Sequence, residues 1–295
     1  MIRYVTLETS NKRFAIFLLI PTMVVLFGLY TYPLFYSLYL SVTNTNFFLP
    51  NVTTRIIGLR NYINLFQDEQ FINSIIISFS FAGLVTIAEL VIGMALALMY
   101  SKERFGLGFL RSIVIIPMMI TPVCAGLIWK YMFHPAFGLV NYIFDVLGFH
   151  GLGWHTEMST AFLTVVLVDI WMLTPFVIII AISGLSALPH ELYEAADIDG
   201  ANGWKKLIHI TLPLMKPIII IIVLIRLIDA FKVFDNVWIM TRGGPARRTE
   251  LFTIFAYKDA MLKGNLGSGA AASIIILIVV LILCISFIKF SRVDY

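Results

Sequence analysis

The chain has 295 residues, of which 60% are hydrophobic and only 13% charged. Soluble domains run at about 45–50% apolar and about 25% charged, so a soluble globular enzyme is excluded, as is a disordered chain. The formal net charge of +4 comes from Lys and Arg scattered among apolar runs, with no basic stripe, so nucleic acid is excluded as a partner.

Six apolar runs are long enough to cross a bilayer, since a spanning helix needs about 20 residues. They cover about residues 14–40, 71–100, 112–133, 160–183, 214–240 and 270–290. The first follows Lys12 and Arg13 and exceeds the length of a cleaved signal, so a retained span is expected. Pro117 and Pro122 in the third run and Pro175 in the fourth are expected to break backbone hydrogen bonds at membrane depth. The runs do not alternate apolar and polar residues as barrel strands would. The fold class expected is an all-α membrane protein with six transmembrane helices. Its parts are an N-terminal tail (1–13), a membrane domain (14–290) with a long inner loop at 184–213, and a short C-terminal tail (291–295). The excess of basic residues, with Lys12 and Arg13 beside the first span, places both termini in the cytoplasm. Loops at about 41–70, 134–159 and 241–269 then face outward.

Charges inside the spans are few and therefore informative. Glu89 lies in the second run, Asp169 in the fourth, and Arg226 and Asp229 in the fifth, with Lys232 and Asp235 toward its end. Arg226 and Asp229, three residues apart, share a helix face. They either line a substrate cavity or form an internal ion pair. Asp169, beside Trp171, can accept sugar hydroxyls or bond a neighbouring helix. Glu89 alone fits helix packing or a proton pathway. Cys124 and Cys284 lie in apolar runs without metal spacing and read as buried thiols. The five histidines lie in or beside loops and are expected to be solvated. There is no metal motif, no catalytic constellation and no phosphate-cradling G-x-x-x-x-G-K-[ST] loop. A non-enzymatic chain follows.

The inner loop carries the most specific signal. It runs Leu188-Pro189-His190-Glu191-Leu192-Tyr193-Glu194-Ala195-Ala196-Asp197-Ile198-Asp199-Gly200-Ala201, then on to Ile210-Thr211-Leu212-Pro213. It reads as a surface helix, a glycine turn and a second helical stretch ended by Pro213. Small residues on the first helix permit close approach by another protein. Glu194-Ala195-Ala196, Asp199-Gly200-Ala201 and Leu212-Pro213 resemble the EAA signature of permease subunits of ABC importers. Tyr32-Pro33-Leu34, Gly58-Leu59-x-Asn61-Tyr62, Gly138-Leu139-Val140-Asn141, Thr174-Pro175-Phe176 and Thr241-x-Gly243-Gly244-Pro245 resemble the carbohydrate-uptake members, of the maltose and glycerol-3-phosphate type.

The resemblance implies a type I importer fold in a bacterial or archaeal plasma (inner) membrane. It implies a second homologous permease, two ATP-binding cassette subunits, an extracytoplasmic solute-binding protein, a sugar substrate and surrounding lipid. No cofactor is implied in this chain; ATP and Mg2+ would sit on the ATPase subunits. ATPase docking falls to Glu194, Ala195, Ala196, Asp199, Gly200, Ala201, Leu212 and Pro213. The substrate pathway falls to Asp169, Met172, Leu173, Phe176, Arg226, Asp229, Ala230, Val233, Met118 and Pro122. The competing classes are an ion-coupled secondary transporter, which would titrate Glu89 or Asp169, and an ABC permease for a non-sugar solute.

Overall fold

The computed structural model describes residues 9–49, 53–100, 107–149 and 151–291. Residues 1–8, 50–52, 101–106, 150 and 292–295 lie outside these, with most of the N-terminal tail and the C-terminal tail. The described residues form helices α1 (Thr9–Val25), α2 (Tyr32–Ser41), α3 (Arg60–Gln67), α4 (Glu69–Tyr100), α5 (Leu107–Met119), α6 (Pro122–Met132) and α7 (Leu139–Val146). They continue with α8 (Ala161–Ser186), α9 (His190–Ile198), α10 (Gly203–Lys206), α11 (Leu212–Lys232), α12 (Asp235–Thr241), α13 (Phe252–Tyr257) and α14 (Leu266–Ser291).

Five stretches among the described residues are long and apolar enough to cross a membrane: Phe17–Ser41, Glu69–Tyr100, Ala161–Ser186, Gly203–Lys232 and Leu266–Lys289. The third run, about 112–133, is a bent pair. Ser112–Met119 and Pro122–Met132 meet at 100°. The break falls at Pro122, which opens α6 as proline at a first helical position does. Pro117 and Pro175, expected to interrupt their helices, lie inside α5 and α8 without ending them.

Two prolines are absorbed by wide turns. Leu26–Thr31 and Leu207–Thr211 are π-helical, and each precedes a proline, Pro33 and Pro213. Tyr32 N–H bonds to Phe27 C=O, and Leu212 N–H to Leu207 C=O, five residues back. The wider register accommodates the carbonyls that a proline leaves without an i→i−4 donor. Pro213 therefore does not end the inner segment; the helix runs through it, and the fifth span is Gly203–Lys232.

The chain divides into two compact units. One comprises the residues up to Gln67 together with Ala256–Ile275. Here Asn61, nearly buried, donates to the carbonyls of Ser41 and Thr43, both at 2.8 Å, and Tyr62 OH bonds to Ser41 Oγ at 2.7 Å. The Asn61-Tyr62 pair thus fastens the end of α2. The other unit comprises Asp68–Phe255 and the residues from Ile276 onward. Its core is built of Phe81, Ala82 and Val85 on α4, Val165, Val166 and Val168 on α8, and Ala230 and Phe231 on α11. Lower on the same helices, Gly93 faces Val177, where an added Cβ would lie 2.7 Å from two side-chain carbons. Small residues at such contacts let membrane helices approach closely.

Candidate functional site

The inner loop is assembled by local backbone chemistry. α9 ends in a Schellman motif: Ala201 N–H bonds to Ala196 C=O at 2.9 Å and Gly200 N–H to Asp197 C=O at 3.1 Å. Gly200 holds φ +73°, a conformation in which a side chain is strained, although the space beside it is open. Asn202 then caps α10 by accepting from Lys205 N–H at 2.9 Å. An Asp197–Lys206 ion pair and a 2.9 Å bond between Tyr193 OH and Thr211 Oγ1 tie α9 back to the foot of α11.

The outcome is a held but uncovered helix. No residue of α9 is buried. Glu194 and Ala195 are exposed, with Ala196 and Ala201 half-buried. Asp199, Gly200, Leu212 and Pro213 are exposed as well. Ile198 is 88% exposed and Trp204 68%. Residues of that kind are costly in water, so the surface fits a protein contact. Ile198 and Trp204 were not among the expected docking residues; they are the two most exposed large apolar side chains of the loop, which its sequence alone does not single out.

The charges of the spans converge elsewhere in the same unit. Arg226 of α11 donates through Nε and Nη2 to Glu89 of α4, at 2.5 and 3.1 Å. Its Nη2 also donates to Asp169 Oδ2 of α8 at 3.3 Å. Asp169 Oδ1 accepts from Asn236 Nδ2 of α12 at 3.2 Å. Glu89, Asp169, Arg226 and Asn236 are all buried. Asp229 was paired with Arg226 by spacing, but it stands 3.9 Å away with a 46% exposed side chain and lies closer to Lys232, at 3.2 Å. The principal partner of Arg226 is Glu89, because a two-toothed carboxylate contact matches the guanidinium fork.

The expected pathway residues fall into two groups. Asp169, Met172, Arg226 and Ala230 are buried inside this chain. Leu173, Phe176, Asp229 and Val233 are half-buried, and Met118 and Pro122 are exposed. Asp169 and Arg226 spend their hydrogen bonds on the protein, the alternative left open by the sequence. The thiols depart from expectation too: Cys124 is exposed, and Cys284, beside Leu224 and Leu227 of α11, is half-buried. His155 is buried rather than solvated.

The family described as the inner membrane component of binding-protein-dependent transport systems matches residues 89–290. That stretch holds both the inner loop and the charge cluster. This chain belongs to that family. The trehalose/maltose transport system permease protein MalF of Thermococcus litoralis is 32% identical over 286 residues, covering 97% of this chain and 96% of that one. The trehalose transport system permease protein SugA of Mycobacterium tuberculosis is 32% identical over 281 residues, covering 95% and 89%. In fold, the chain superposes on a subunit of a bacterial ABC transporter involved in the import of alginate. The TM-score there is 0.84 at 22% identity, and 98% of each chain is covered. As a family member, this chain is a permease subunit of the inner membrane.

Proposed function

We propose that this chain is one of two permeases of an ATP-driven importer that carries a sugar, of di- or oligosaccharide size or a derivative, into the cell. The observation that carries this is α9, an uncovered helix held rigidly on the inner loop of a family member. The relatives named for trehalose and maltose, and one in Agrobacterium fabrum named for sulfoquinovosyl glycerol at 30% identity, support the sugar class. A second permease and two ATP-binding cassette subunits complete the assembly. ATP and Mg2+ reside on the cassettes, and both termini are cytoplasmic. An extracytoplasmic binding protein delivers the sugar; the alginate transporter was also solved with its ligand-bound periplasmic protein.

In this reading Glu194, Ala195, Ala196 and the turn at Asp199-Gly200-Ala201 seat in a cassette, with Ile198 and Trp204 burying their apolar surface there. Leu212 and Pro213 carry the movement into α11. The sugar passes along Met118, Pro122, Leu173, Phe176 and Val233, where partial exposure leaves side chains to contact it. Asp229, whose carboxylate lies 3.2 Å from Lys232 and 3.9 Å from Arg226, belongs with the charges of the helix and not with the sugar path. Glu89, Asp169 and Arg226 hold the helices rather than the sugar. An ion-coupled transporter would leave the exposed α9 surface without a purpose.

The test is purification of the tagged chain in mild detergent, with identification of what stays bound. A second permease and a cassette ATPase are expected to co-purify. In proteoliposomes, ATP hydrolysis should rise when binding protein loaded with sugar is added. A homo-oligomer without any ATPase would sink the proposal.

A further inference from the structure

The buried cluster is mechanically lopsided. α12 is gripped from two helices. On α6, Gly126 lets Asn236 approach so closely that an added Cβ would lie 3.0 Å from its carbonyl oxygen, and Lys130 Nζ donates to Ile239 C=O at 3.0 Å. On α8, Asp169 accepts from Asn236. α8 is itself packed closely on α4 through Gly93 and Val177. These helices hold one another. α11 joins them through a break at Val233 and Phe234, whose dihedrals (φ −56°, ψ 128° and φ −141°, ψ −56°) are not helical. Thr253 Oγ1 donates to the carbonyl of Val233 at 2.6 Å. A satisfied break of this kind is a built feature of a membrane helix.

Arg226 stands seven residues before Val233, about 10 Å along the helix axis. Its contacts are unequal. Glu89 takes two hydrogen bonds, Asp169 takes one long one, and Nη1 faces Asp229 at 3.9 Å. Asp229 rides on α11 itself, one turn further on. Arg226 therefore carries a replacement carboxylate with it wherever α11 moves.

We propose that Arg226 is a positioning residue: held by Glu89, its guanidinium exchanges Asp169 for Asp229 when α11 pivots at Val233–Phe234. In the arrangement described here, the Asp169 contact fastens α11 to α8. When α11 swings, that single bond is the first to lengthen, and Asp229 closes on Nη1 and Nη2. The guanidinium is never left unpaired at membrane depth, where an unpaired charge is costly. Asn236 keeps Asp169 fixed on the stationary side. The inference deepens the transport reading and rests on it, because the pivot is what would open the path past Val233.

The experiment uses the assembled transporter in liposomes, with Cys124→Ser and Cys284→Ser and a single reporter, Val233→Cys. The rate of maleimide labelling is measured at rest and during ATP turnover. Asp169→Asn keeps the shape of the side chain and removes the charge that fastens α11. It should speed resting labelling by roughly fivefold or more, the lower end of coupling between linked sites. Asp229→Asn should leave resting labelling unchanged and slow labelling during turnover by a similar factor. Asp229 is half-exposed, so this second variant assembles even where the first does not. Wild-type labelling in both states for Asp229→Asn overturns the exchange, as does an unchanged resting rate in an assembled Asp169→Asn protein. The resting measurement needs neither ATP nor sugar, so it reads the clasp separately from any failure of the transport proposal.

Discussion

The inner loop and the charge cluster solve opposite problems within one unit of the chain. Around α9 every polar bond is short-range, and the helix is left open to solvent. The hydrogen bonds of Arg226 are long-range: Glu89 is 137 residues away in sequence and Asp169 57. The loop gains its shape from turns and caps and leaves its surface uncovered. The cluster gains its shape only from the packing of α4, α8, α11 and α12, and is buried throughout. An uncovered surface can thus be altered with little cost to folding, whereas the buried network cannot.

The largest effect expected follows from that contrast. Arg226→Met leaves two carboxylates facing each other in a buried site, and breaking a buried pair costs about 3–5 kcal/mol. The assembled protein should drop sharply in yield and in thermal stability in detergent. Replacing all three charges at once, as Glu89→Gln, Asp169→Asn and Arg226→Met, should recover most of the stability, since no uncompensated charge remains. A triple variant no more stable than Arg226→Met would show that the shape of the network matters more than its charge.

A smaller effect is expected where α4 meets α8. Gly93→Ala places a methyl group 2.7 Å from Cβ and Cγ1 of Val177. Overpacking of this kind costs about 1–3 kcal/mol. Val177→Gly in the same chain removes both overlapping atoms and should relieve most of it, and thermal unfolding of the two single variants and the double variant measures the coupling. Strict additivity would mean that the helices part rather than repack.

The loop offers the sharper functional split. Gly200→Val forces a β-branched residue into φ +73° with no steric neighbour, so only the backbone strain acts, about 1–2 kcal/mol. Gly200→Asn, which tolerates that conformation, should be far milder. Both proteins should remain in the membrane, while sugar-stimulated ATP hydrolysis falls in the valine variant alone. Equal losses in both would place the defect in the side chain at the docking surface and not in the turn.

The same contrast decides what was legible beforehand. Span positions come from composition over long windows, and the runs around residues 71–100 and 160–183 match α4 and α8 to within a few residues. The turn after α9 was legible because Gly200 acts through its neighbours only. Arg226 and Asp169 were both marked, yet their joining through Glu89 was not, because nothing local selects one carboxylate over another. The more obvious choice, Asp229, obeys the helix spacing and still loses to a better-oriented fork. Wide turns before Pro33 and Pro213 were also hidden, since a proline alone reads as an end. Asn61 and Asn141 were quoted only as parts of motifs. Their burial and their bonds to distant backbone groups explain why asparagine stands there.

The smallest effect concerns the loop before α8. Asn141 there binds the backbone of Leu152 in both directions and accepts from Trp154 Nε1 at 2.6 Å. His155 follows directly, 7% exposed, with Nδ1 lacking a hydrogen-bond partner among the described residues. Burial, then the charges of Lys130 and His134, hold its pKa below the ordinary 6.5. The folded loop therefore takes up this proton at lower pH than the unfolded loop does. As pH falls through 6.5 the unfolded form binds more protons, and stability is lost; above 6.5 the contribution is fully present. Lowering the medium from about pH 7.5 to about pH 5.5 crosses the range in which histidine changes charge. Protection of the amides across residues 152–160, taken relative to the intrinsic exchange rate at each pH, should fall over that interval, and His155→Gln should flatten the response. If protection in the unaltered protein is the same at both values, or if His155→Gln responds as the unaltered protein does, His155 does not govern the loop.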